Sequence, residues 1–161
     1  MNERAGMTIR RAATSDIERL AFLRVELLME MGGRRGDDDA KELAGAARSY
    51  FESSIPTEAF VAFVAEMDGE IVGMSGIVIH SNPPVFGNPE GKEAYIMNMY
   101  TLPAHRHKGI ATRLFEDSLR FIKLKEIRSV WLRASRFGKP LYKKFGFKGS
   151  SEYEYMELKL G

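Results

Sequence analysis

Apolar residues recur along this chain with three different rhythms, and each predicts a different kind of element. Ile17, Leu20, Ala21, Val25 and Leu28 fall at helical spacing, with Phe22, Leu23 and Leu27 beside them, which makes a helix with a wide apolar face. Thr14, Ser15 and Asp16 precede it, and Ser15 with Glu18 fits a capping box. Gly32 and Gly33 mark its end. A short strand over 8–12, at a sheet edge, leads into it. A second helix is expected to be capped by one of Asp37 to Asp39. Leu43, Ala46, Ala47, Tyr50 and Phe51 face inward on it, and Pro56 stops it.

The second rhythm is that of strands. Residues 59–66 (AFVAFVAE) and 71–80 (IVGMSGIVIH) flank Asp68-Gly69, a strong hairpin signal. Gly73 and Gly76 inside the return strand point to a bulge or a close backbone approach. Residues 81–93 are a long Pro/Gly/Asn loop, read as either a hairpin tip or a functional loop. Residues 152–160 (EYEYMELKL) alternate as an antiparallel strand with one wet face does.

The third rhythm lies between these. Residues 95–101 are nearly all apolar or aromatic, which suits a central strand covered on both faces. A helix over 108–123 gathers Ile110, Ala111, Leu114, Phe115, Leu119 and Ile122 on one side, and 129–134 (SVWLRA) is another strand. Strand, helix and strand at this spacing form a βαβ unit, so the two strands should be parallel neighbours with a right-handed crossover. A short helix over 139–144 follows, with Pro140 in its first turn and Gly146 after it. The fold class is therefore α+β: a mixed, mostly antiparallel sheet with one parallel pair and helices on both faces.

Composition narrows the choice of chemistry. The chain has 161 residues, expected to form a single domain over 1–161 with 1–6 loose. It contains no cysteine, which removes disulfides and thiolate catalysis and suits a reducing cytoplasm. The net charge of +2 argues against a nucleic-acid partner. No apolar run is long enough to span a membrane, and the first residues lack the apolar stretch of a secretory signal. His80 and His105 have no metal-ligand spacing, so no metal is expected. The Gly-Gly-Arg-Arg-Gly run at 32–36 lacks a Walker ending; it reads as a solvated connector or a loop covering substrate.

The basic turn Arg106-His107-Lys108-Gly109 precedes a helix. The helix start offers unpaired N–H groups and the positive end of a dipole, a place for a phosphate or pyrophosphate. If the parallel strands part at their C-terminal ends, the edge of strand 95–101 opens beside that anion site. An extended amide-bearing ligand could then pair with it.

These residues resemble a family. Arg106-His107-Lys108-Gly109-Ile110-Ala111 matches the R/Q-x-x-G-x-G/A signature of the GNAT superfamily of acetyl-CoA-dependent N-acetyltransferases. The preceding Met99-Tyr100-Thr101-Leu102-Pro103, the strand through Trp131 to Ser135, and Leu141-Tyr142 through Gly146-Phe147 are similar to the family's other segments. The resemblance implies acetyl-CoA as co-substrate and an amine acceptor, small or on a protein, and it leaves a homodimer open. Backbone groups of Met99, Tyr100 and Thr101 would pair with the pantetheine arm. N–H groups from His107 through Thr112, among them those of Lys108, Gly109, Ile110 and Ala111, would hold the pyrophosphate. Ser135 would touch the coenzyme arm, and Tyr142 would stand near the thioester sulfur as general acid.

Each role has a plainer alternative. Tyr142 is otherwise a packed core tyrosine, and His107 an exposed side chain. Glu93 is the candidate base or a solvated carboxylate. Asn98 is a substrate contact or a structural amide, and Glu30 a substrate contact or a surface group; Tyr95 is a substrate contact, in an aromatic strand with Tyr100 that fits a small amine, an amino acid, a drug or a protein terminus. Met29, Met31, Met97 and Met99 line the core or a pocket. Two functions remain: an acetyltransferase, which Tyr142 favours, or a coenzyme-binding regulator with little catalysis. A nucleotide-binding module is disfavoured, because no strand-linked G-x-G-x-x-G is present.

Overall fold

Five strands lie in the sheet in the order in which they occur in the chain. They are β1 (Met7–Arg11), β2 (Phe60–Met67), β3 (Glu70–Ser81), β4 (Lys92–Thr101) and β5 (Ser129–Leu132). The helices are α1 (Ile17–Gly32), α2 (Asp37–Ser54), α3 (Ile110–Leu124) and α4 (Lys139–Lys144). The structure, a computed structural model, describes residues 6–32, 35–150 and 154–160. The expectations for residues 1–5, Gly33, Arg34 and 151–153 lie outside the described residues.

Three pairings are antiparallel, and β4–β5 is parallel. One face of the sheet carries Phe60, Ala62, Val64, Met74 and Tyr100 against Leu20 and Leu23 of α1 and Phe51 of α2. The other carries Val61, Ile77, Ala94 and Ile96 against Phe115 and Ile122 of α3 and Tyr142 of α4. The α3 face is pinned by a buried hydrogen bond between the Ser75 and Ser118 hydroxyls, 2.8 Å.

Both glycines of β3 serve close approach. A Cβ on Gly76 would lie 2.4 Å from Cζ of Phe60, and one on Gly73 would lie 3.0 Å from the carbonyl oxygen of Tyr100. The register between β3 and β4 also slips here. Gly76 pairs with Met97 and Met74 with Tyr100, so β4 holds an extra residue. This is a bulge, and Asn98 in it has φ of 53°. Asparagine tolerates that left-handed conformation better than most side chains.

Several expectations need correction. The start of α1 is held not by Ser15 and Glu18 but by Asp16, whose Oδ2 accepts the N–H of Ala13 at 2.8 Å. Asp16 is buried and also accepts two hydrogen bonds from the Arg10 guanidinium, at 2.8 and 3.0 Å. Glu18 turns away to pair with Arg48. The N-cap of α2 is Gly36, and Asp37, Asp38 and Asp39 occupy its first turn, where negative charge favours the dipole. Ala46 and Tyr50 of α2 are exposed rather than inward. The expected last strand is absent among the described residues. Residues 154–160 have no regular pairing, and Tyr155, Met156, Leu158 and Leu160 are exposed. Alternation states which face would be covered but not which strand would pair. Here Tyr155 lies instead under the Arg133 guanidinium, 4.1 Å from its ring centre. The loop after β3 is a hairpin tip: Asn82 donates to the Gly91 carbonyl, and Val85 bridges Asn88.

Candidate active site

The β4–β5 ladder begins at Glu93 with Ser129 and ends at Ile96 with Leu132, while β4 continues to Thr101. The two strands therefore part, and the C-terminal half of β4 has no β5 residue paired with it. The Thr101 hydroxyl oxygen lies buried in this region without a hydrogen-bond partner among the described residues. A buried polar atom of that kind calls for a ligand or ordered water.

Beyond β4, a 3₁₀ turn from Pro103 to His105 leads into the basic turn. His107 has φ of 62° and Gly109 has φ of 81°. The first α3 hydrogen bond outside the helix body runs from the Arg113 N–H to the Gly109 carbonyl, 3.2 Å. By helix geometry the N–H groups just before Arg113 have no acceptor inside the helix. No heavy atom lies within 4 Å of where a Gly109 Cβ would stand, so the approach to these donors is open. His107, Lys108 and Gly109 are exposed, and Ala111 and Thr112 are half-buried.

Arg106 points elsewhere. Its Nε donates to the Thr101 carbonyl at 2.9 Å, and its Nη2 donates to Glu30 of α1 at 2.6 Å. The Tyr100 hydroxyl donates to the same Glu30 oxygen at 3.2 Å. This knot joins the end of α1 to the open end of β4. The Arg106 guanidinium holds the Glu30 carboxyl below the usual carboxylate range. Burial, and then the Glu30 charge, push the Tyr100 phenol up. Glu30 thus braces the fork, and its own carboxylate is engaged.

Tyr142 lies buried on the α3 side, its ring 5.2 Å from that of Phe115 and 6.3 Å from that of Phe147. A Cβ on Gly138 would stand 3.1 Å from the Tyr142 hydroxyl, so glycine there makes room for the phenol. Burial alone raises the Tyr142 pKa above its ordinary value. Ser135 is exposed, and its hydroxyl accepts the N–H of Gly138 at 3.1 Å, shaping the turn before α4.

Glu93 is not brought to the open end. It accepts hydrogen bonds from Asn82 at 3.1 Å and Ser129 at 3.3 Å. It is five residues before Asn98, roughly 17 Å along a strand. Asn98 and Tyr95 both sit on the α1 face. Asn98 is buried, and its Oδ1 accepts from Arg24 Nη1 at 2.6 Å. Tyr95 stacks on Trp131, with ring centres 4.1 Å apart and planes 12° apart, and His80 stacks on the same indole. The sequence reading passed over Arg24, Trp131 and the Thr101 hydroxyl. Arg24 did leave a signal, being an arginine inside the apolar stripe of α1, four residues after Leu20. A separate cavity of about 350 Å³ lies between the end of α1 and the start of α2, lined by Leu28, Met29, Met31 and Leu43 among others. No group of three or more potential metal ligands clusters among the described residues. No helix among them is long and apolar enough to cross a membrane.

Comparison with known proteins places this geometry. The sequence profile of the acetyltransferase (GNAT) family matches residues 22–147. A predicted acetyltransferase from Clostridium acetobutylicum, crystallised with acetyl-CoA, is 32% identical. The match covers 94% of this chain and 96% of that one, with a TM-score of 0.82. A GCN5-related N-acetyltransferase from Ralstonia eutropha is 24% identical over 94% of this chain and 99% of that one, with a TM-score of 0.81. The aminoglycoside N-acetyltransferase AAC(6')-Iy in complex with CoA shares the fold at 19% identity. That match covers 99% of this chain and 100% of the other, with a TM-score of 0.74. No curated protein matches the chain.

Proposed function

Because the chain belongs to the acetyltransferase (GNAT) family, matched over residues 22–147, we propose that it transfers the acetyl group of acetyl-CoA to an amine by direct attack in a ternary complex. The observation that carries this reading is the parting of β4 from β5 after Ile96 and Leu132, beside the open start of α3.

The residues present fit the coenzyme. An unpaired strand edge at Met99, Tyr100 and Thr101 suits the amides of a pantetheine arm. The buried Thr101 hydroxyl is a polar atom awaiting a partner. The N–H groups from His107 through Thr112 form an anion cradle, open above Gly109. Lys108 adds positive charge at its rim; β5 ends at Leu132, short of the strand expected over 129–134, and Ser135 lies three residues beyond that end. Arg106 supports the cradle from behind through Glu30 and Thr101. Acetyl-CoA bound there supplies a thioester whose C–S bond breaks as the amine's N–C bond forms, the electron pair leaving on sulfur with a proton.

This chain's residues have three tasks in that reaction. Main-chain N–H donors on the parted edge of β4 stabilise negative charge developing on a carbonyl oxygen. Tyr142, whose phenol burial keeps protonated at neutral pH, donates a proton to the leaving group. The amine must lose a proton, and Glu93, so far along β4, can take it only through a chain of water.

An acetyl-transfer screen over amine classes, read by release of free thiol, tests the activity. Acetyl-CoA should also raise the melting temperature, because a ligand that binds only the folded state stabilises it. The absence of any shift at saturating acetyl-CoA overturns the reading.

A further inference from the structure

Arg24 carries a charge that no carboxylate among the described residues neutralises. It projects from the sheet-facing side of α1 and is half-buried. Among the described residues it meets no carboxylate within 4 Å, whereas Arg10 meets two and Arg11, Arg48, Arg106 and Arg120 meet one each. Buried charges are ordinarily paired, since desolvation without a partner is costly. Burial in fact lowers the Arg24 pKa, with the nearby Tyr95 the sole charge interaction opposing it. Among the described residues its one hydrogen bond runs from Nη1 to Asn98 Oδ1. A guanidinium has five N–H donors in a planar fork, so Asn98 aims the group and leaves most of its donors uncommitted.

The surroundings specify more. Asn98 stands in the bulge of β4, within the stretch after Ile96 that no β5 residue pairs, and immediately precedes Met99. On the same face, Tyr95 and Trp131 stack across the last paired stretch of the fork, and Trp131 is more than one-third exposed. His80 extends the stack on β3. A cation lacking a counter-ion among the described residues thus sits beside a flat aromatic wall, opposite the α3 face where Tyr142 lies.

We propose that this face receives an acceptor bearing a carboxylate close to its amine, as an amino acid does: Arg24 takes the carboxylate and the Tyr95–Trp131 stack lies against the acceptor's side chain. The inference rests on the acetyl-transfer reading and names its acceptor class. Arg–carboxylate pairing is charge-assisted and bidentate. It fixes the acceptor's orientation as well as its affinity, so the amine is presented toward Met99 and not merely held nearby.

The test compares amino acids with their α-carboxamides, which keep the amine and the side chain and lose only the charge. In the wild-type protein the acids should exceed the carboxamides in kcat/KM by about 10- to 100-fold, the range for a hydrogen bond to a charged group. Arg24→Gln should erase that preference, and Arg24→Lys should retain part of it. Neither variant should change the Kd for acetyl-CoA, which also reports that both are folded. A second readout does not depend on turnover. N-acetyl amino acids should raise the melting temperature of the wild-type CoA complex more than N-acetyl amino amides do, and Arg24→Gln should remove the difference. Equal use of acids and carboxamides, or faster use of amines lacking a carboxylate, overturns the proposal. So does the absence of both acid acetylation and N-acetyl acid binding in a protein that binds CoA. Failure to bind acetyl-CoA at all would instead overturn the parent reading, and this inference with it.

Discussion

Ile96 and Leu132 form the last pair in the parallel ladder, and beyond them β4 runs on to Thr101 without β5. The strand edge freed there lies next to the start of α3, where Gly109 adopts a left-handed conformation. A glycine at φ of 81° avoids a strain of about 1–2 kcal/mol that other residues would meet. Two variants separate that backbone role from ligand access. Gly109→Ala should fold with a modest loss of melting temperature, because open space surrounds the new methyl group. Gly109→Glu should lower stability similarly but weaken acetyl-CoA binding by at least about tenfold, since a carboxylate then faces a diphosphate. Calorimetric titration of both variants measures this, and unchanged affinity in the glutamate variant removes the phosphate from this turn.

Tyr142 offers a cleaner separation of packing from chemistry. Its ring packs against Phe115 and Phe147, and its pKa is perturbed by burial alone, with no hydrogen bond contributing. Tyr142→Phe keeps the ring and should leave stability within about 0.5 kcal/mol of wild type. If the phenol is the acid, kcat should fall by roughly 10²- to 10⁴-fold with little change in coenzyme affinity. A variant turning over at the wild-type rate leaves the tyrosine only its packing role.

The parts of the fold that could be read from sequence were those written in neighbouring residues. The Asp68-Gly69 hairpin, the βαβ unit through α3 and the close approaches at Gly73 and Gly76 each have a local signal. The open helix start at Gly109 does too, because a glycine before a helix start is a short-range pattern. Features depending on distant partners were misread or passed over. Ser15 and Glu18 have the spacing of a capping box, but Arg10 and the Ala13 N–H engage Asp16, while Arg48 draws Glu18 away. Residues 154–160 alternate as a strand does, yet β5 is only four residues long and the segment does not pair with it. Arg24 acquires meaning only once Asn98, 74 positions away, is seen beneath it.

The approach of Phe60 to Gly76 predicts a stability effect unrelated to the active site. Phe60 is fully buried, and a Cβ at position 76 would overlap its ring at 2.4 and 2.8 Å. Gly76→Ala should therefore destabilise by about 2 kcal/mol, within the range for overpacked cores. Adding Phe60→Leu should recover part of that loss, because the two positions share the same space. Thermal denaturation of the two single variants and the double variant checks this, and additive losses would show that the cost of Gly76→Ala does not arise from the Phe60 ring.

The Arg10–Asp16 pair predicts a dependence on pH. Hydrogen bonds from the Arg10 guanidinium, and secondarily the Ala13 N–H, hold the Asp16 carboxyl below the usual carboxylate range despite burial. A folded-state pKa below the unfolded value of about 3.9 means that the carboxylate stabilises the fold fully above that pH. The contribution is lost as pH falls from there through the folded-state value, when protonation breaks the pair. Asp16→Asn keeps an acceptor for Ala13 but removes the charge. It should cost about 2 kcal/mol at pH 7, less than for a fully buried pair because Arg10 is partly exposed. The gap between wild type and variant should then narrow as pH drops below about 4. Melting temperatures of both proteins from pH 7 to pH 3 measure that gap, and a gap constant across the range would mean that the Asp16 charge contributes nothing to folding.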